Sequence, residues 1–68
     1  MNKSISEFYY DIGTILKLEH IDLANEFQKR IKKDSSKDIF LWLDNELKGK
    51  SISPKLDELL TDFFFSIH

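Results

Sequence analysis

The side chains in this sequence that could do chemistry are few and widely spaced. His20 and His68 are its only imidazoles, and there is no cysteine at all. A zinc-type centre needs such ligands gathered at short, regular spacing, so no metal site is expected. The missing thiols also remove disulfides and a cysteine nucleophile, and they fit a reducing compartment. Asp57 and Glu58 are adjacent, and Asp34 and Asp38 fall four apart. General acid–base catalysis would need such a pair inside a concave site. Near the start of a helix, the same carboxylates are explained by the positive end of its dipole. Ser51 and Ser53 have no base in prospect, and Ser53 is better employed as a helix cap. Gly13 and Gly49 are the only glycines, too few for a phosphate-cradling loop. His20 shares a helix side with Leu23, Phe27 and Ile31, which predicts a ring packed at the edge of a core. No catalytic residue and no cofactor are expected, and the chain is not read as an enzyme.

One stretch is strongly charged. Lys29, Arg30, Lys32, Lys33 and Lys37 against Asp34 give residues 29–37 a local charge of +4, in a protein whose formal net charge is −2. Duplex recognition commonly draws on about six or more phosphate contacts over a wider basic face. Residues 1–28 and 38–68 each come to −3, so nucleic acid is not the expected partner. Cations in the last turns of a helix complement its negative end, and a contact patch for protein is the other use.

These residues must be held by helices. Sixty-eight residues allow one domain, residues 1–68, of a size that buries only about 60% of the surface its unfolded chain exposes. Ser4 and Glu7 form a capping-box pattern, which starts a helix running to about Leu18. Its stripe is Ile5, Phe8, Tyr9, Ile12, Ile15 and Leu16, and Gly13 within the helix marks either a close helix approach, the favoured reading, or a weakened helix. A second helix is predicted over His20 to Lys33, with its break from the first at Leu18 to His20 or as one bent helix. Asp34-Ser35-Ser36 stops and restarts the chain. A third helix follows to Leu47 or Lys48, closed by Gly49 in the left-handed region. Ser53 as cap and Pro54 at the first helical position open a fourth. The predicted fold class is all-α, a compact bundle of four short helices. The longest apolar runs, Ile39 to Leu43 and Phe63 to Phe65, are far below the roughly 20 residues of a membrane span. The start, Met1-Asn2-Lys3-Ser4, reaches Glu7 and Asp11 without an apolar stretch, so no secretory leader is expected and the chain is read as cytoplasmic.

The aromatic residues exceed what these stripes use. At about 100° per residue, Leu56, Leu59, Leu60, Phe63 and Ile67 share one face of the fourth helix, Phe64 flanks it, and Phe65 points away. Tyr10 and Leu41 also leave their stripes, and Trp42 lies on a flank. Large aromatics concentrate at the centres of interfaces. The candidate partner-binding residues are therefore Tyr10, Leu41, Trp42 and Phe65, joined by the acidic Asp57, Glu58 and Asp62, which suit a basic partner such as a nuclease.

The segment Ser36-Lys37-Asp38-Ile39-Phe40-Leu41-Trp42-Leu43-Asp44-Asn45-Glu46-Leu47-Lys48-Gly49, followed by Ile52-Ser53-Pro54-Lys55-Leu56-Asp57-Glu58-Leu59-Leu60, covers about half the chain. This helix, glycine stop and Ser-Pro restart resembles small all-α immunity proteins of bacterial toxin systems, including those of contact-dependent growth inhibition. The resemblance implies a single-domain cytoplasmic inhibitor that occupies a toxin's active site or an adjacent surface. The expected partner is thus a protein, either a toxin domain or, in the alternative reading of a homo-oligomeric regulatory or structural protein, a second copy of the chain, as in a homodimer. A small nucleic-acid-associated regulator using residues 29–37 ranks behind both.

Overall fold

Serine side chains set three of the four helix starts. In a computed structural model that describes residues 3–68, the Ser4 hydroxyl accepts from the Glu7 amide while the Glu7 carboxylate accepts from the Ser4 amide, completing the capping box of α1, Ile5–Glu19. Ser35 accepts from the Asp38 amide at the head of α3, Ser36–Leu47. Ser53 accepts from the Leu56 amide at the head of α4, Pro54–Ile67, with Pro54 in the first turn. Each such cap satisfies a backbone donor that the helix leaves open, and its loss costs about 1 kcal/mol. Residues 1 and 2, the beginning of the stretch read above for a leader, lie outside the described residues.

The second helix differs in its bounds and its start. α2 spans Ile21–Arg30 and has no side-chain cap. His20 caps the end of α1 and opens α2, at φ −146° and ψ 72°, a non-helical conformation that ends the first helix cleanly. The first two helices are therefore separate. Beyond Arg30 the chain tightens into turns, with the Lys33 and Asp34 amides both donating to the Arg30 carbonyl. That ends α2 three residues short of the predicted Lys33.

The main helix contacts run α1 to α2, α1 to α4, α4 to α3 and α3 to α2, closing a ring around one apolar core. Ile12, Leu16, Phe27, Ile39, Leu43 and Phe63 are among its fully buried members. Among the described residues no polar or charged side chain is buried. The all-α four-helix architecture is thus as the periodicity predicts, and the radius of gyration of 10.9 Å matches the roughly 11 Å expected for this length.

Both glycines are explained. A Cβ on Gly13 would sit 2.9 Å from Gln28 Nε2 and 3.6 Å from the Phe27 ring, so α1 and α2 do approach closely there. Gly49 has φ +78°, the left-handed stop after α3. His20, expected at a core edge, is half-buried, and its ring is engaged by polar contact. Its Nε2 lies 3.1 Å from the Ser51 carbonyl oxygen, donor geometry for the Nε2–H tautomer. The Ser53 amide donates to Glu19 at 3.4 Å, so the α1–α2 corner is linked twice to the α3–α4 connection.

Candidate partner-binding surface

The cap at Ser53 fixes the phase of α4 and hence the direction of three consecutive phenylalanines. Phe63 is fully buried, Phe64 lies at the boundary with 36% of its surface exposed, and Phe65 is 70% exposed. Successive residues turn by about 100°, which places Phe65 across the helix from the core, above Thr61 and Asp62, with Glu58 about two turns below. Phe65 is 12 residues past its cap and still within the helix, which continues to Ile67.

These rings belong to a connected series that crosses the molecule. Tyr9 meets Phe27 at 5.8 Å between centroids, edge to face, and Phe63 at 5.8 Å. Phe63 meets Phe40 of α3 at 6.1 Å, Phe40 meets Phe64 at 5.2 Å, and Phe64 meets Phe65 at 5.6 Å. All lie in the range where tilted and edge-on pairs attract beyond simple burial. His68 adds a ring 4.1 Å from Phe64. Burial raises the Tyr9 phenol above its ordinary value at the inner end of the series.

Between α3 and α4 the outer rings border a groove of about 470 Å³. Its apolar lining comes from Phe40, Leu47, Ile52, Leu60, Phe64 and Phe65. Asp44 of α3 and Asp57 of α4 stand on its rim with Thr61 and Lys48. The two helices together carry Lys37 and Lys55 against Asp38, Asp44, Glu46, Asp57, Glu58 and Asp62, a formal −4. With Lys48 and Lys50 of the connection the sum is −2, and the lining itself sets Asp44 and Asp57 against Lys48, a modest negative excess that favours positive charge over negative.

The residues singled out from the sequence are not all brought together. Phe65 and Asp57 line the groove. Glu58 and Asp62 lie on the outer side of α4 beside Phe65 and away from the trough. Asp62 is within electrostatic reach of Lys3, whose ammonium is held above its ordinary value first by its hydrogen bond to Asp11 and further by the Asp62 charge. Leu41 is exposed on α3 and does not line the groove. Tyr10 is exposed on α1, bordering two shallow depressions, one against Gln28 and Ile31, the other against Lys55 and Leu59. Trp42 is half-buried, with the Arg30 guanidinium 4.8 Å from its ring centroid.

Two exposed apolar residues were not anticipated. Leu18 is 82% exposed and Ile21 more than half so, one on each side of the His20 corner. Leu18 follows Leu16 by two, a spacing that cannot share a helix face, and that was the signal available. Phe40 and Asp44, four apart on α3, line the groove and are not among the partner-binding residues expected from the sequence. No family model, curated protein or solved structure matches the chain.

Proposed function

We propose that this protein is a small binding module that docks the α3–α4 face onto another protein, acting as an immunity or antitoxin-like inhibitor of a toxin domain with a basic surface. The observation that carries the reading is Phe65, a large ring left 70% exposed next to a groove lined by Phe40 and Phe64. Solvating such a ring costs free energy that docking recovers, and in interfaces a few desolvated aromatics carry most of the affinity. The six carboxylates of α3 and α4 support a cationic partner, because charge complementarity speeds encounter and rejects anionic surfaces. A nuclease domain, basic where it meets nucleic acid, has that character. The site is cytoplasmic in this reading, where the toxin would act.

The test is coexpression with the polypeptide encoded by the neighbouring reading frame. Copurification and rescue of growth are expected, with both lost on Phe65→Asp while the thermal melt is kept. A stable chain that binds no such polypeptide and gives no protection would refute the reading. A concentration-dependent dimer that dissociates on Phe65→Asp would replace it with self-association.

A further inference from the structure

Arg30 supplies, within this molecule, a pattern for holding a guanidinium. Its cation stands 4.8 Å from the Trp42 ring centroid. Its Nε donates to Glu26 at 3.0 Å, and an outer nitrogen donates to Asp34 at 3.4 Å. A planar cation is thus stacked on an aromatic ring and met at its edge by two carboxylates, an arrangement that suits arginine better than lysine.

The α3–α4 groove offers the same components. Phe40, Phe64 and Phe65 provide ring faces, and Asp44 and Asp57 provide carboxylates from opposite helices. Lys48 shares the rim, but its long flexible stem lets the ammonium swing into solvent. The groove's own lining sets two carboxylates against one lysine, and the chain from α3 through α4 carries a formal −2, which disfavours an anionic lipid surface, a nucleic acid, or the same face of a second copy.

We propose that this groove receives an arginine side chain presented by a basic protein partner, the guanidinium stacking on the Phe64–Phe65 edge and donating to Asp44 and Asp57. The proposal rests on the protein-binding reading above and specifies what that partner inserts. Arginine is selected because its fork can satisfy two carboxylates while its plane remains against a ring. Lysine offers only a compact, more strongly hydrated charge.

The experiment titrates the isotope-labelled full chain with two capped peptides, identical except for arginine or lysine at one central position, and follows amide shifts. The arginine peptide is expected to shift Asp44, Asp57, Phe64 and Phe65 together and to bind several-fold more tightly than the lysine peptide. Replacing both carboxylates, Asp44→Asn with Asp57→Asn, should weaken it by about tenfold. Lys48→Gln should strengthen it. The proposal is overturned if the shifts centre on other carboxylates, if both peptides bind alike, or if the same amides shift on concentrating the chain alone, which would make a second copy the occupant. The peptides report on the groove without any toxin. Their failure would leave the docking reading standing on the coexpression test, and failure of coexpression would leave the arginine preference measurable.

Discussion

The turn between α2 and α3 and the far end of α4 present aromatics with opposite fates. Beside that turn, Trp42, midway along α3 and on the flank of its inner stripe, is covered by Arg30 from the end of α2, which is itself clamped by Glu26 and Asp34. At the end of α4, Phe65 turns farther from its stripe, and its ring contact is with Phe64, which is itself partly exposed. A side chain off its stripe is therefore available for docking only where the chain brings no cation to cover it. The charges of the two regions follow the same division, since the basic run lies at the turn and the carboxylates of α4 lie beside Phe65.

Substitutions can break or sharpen this contrast. The largest effect is expected at Phe63, two residues from Phe65 but fully buried. Phe63→Ala should cost about 3–5 kcal/mol, comparable to the whole stability of a domain this small, so chemical denaturation should find it largely unfolded. Next comes Trp42. In a double-mutant cycle, Trp42→Ala and Arg30→Ala should couple by about 0.5–1 kcal/mol, and additive losses would mean that the cation does not cover the ring. Phe65→Ala should change stability by no more than about 0.5 kcal/mol; a loss like that at Phe63 would erase the distinction between the two ends of the aromatic series. The smallest effect concerns pH. The Tyr9 phenol is raised above its ordinary 10.0 when folded. The folded state therefore holds its proton longer, and the stability it contributes is fully present below pH 10.0 and declines as pH rises past that value. Tyr9→Phe should remove that decline in alkaline denaturation curves.

Much of the architecture was legible because the signals were local. Ser4 with Glu7, Ser35 before Asp38, Ser53 with Pro54, and Gly49 each act within one helical turn, and each does what its spacing predicts. The outward direction of Phe65 followed from the phase set by that last cap. What could not be read was tertiary. Trp42 meets Arg30 across 12 residues of sequence, and His20 reaches Ser51 across 31. Neither periodicity nor composition encodes such meetings. The groove escaped for a similar reason: Phe40 and Asp44 look like ordinary members of one helix, and only the angle at which α4 crosses α3 places them opposite Asp57 and Phe64.

The contact of His20 with the Ser51 carbonyl and the hydrogen bond that the Ser53 amide donates to Glu19 bracket Ile52, which lines the groove. The corner between the first two helices thereby acts as a latch on the trough between the last two. A guest that fixes Ile52 would tighten that latch. Amide hydrogens at Glu19–Ile21 would then exchange more slowly with solvent, although the guest never touches them.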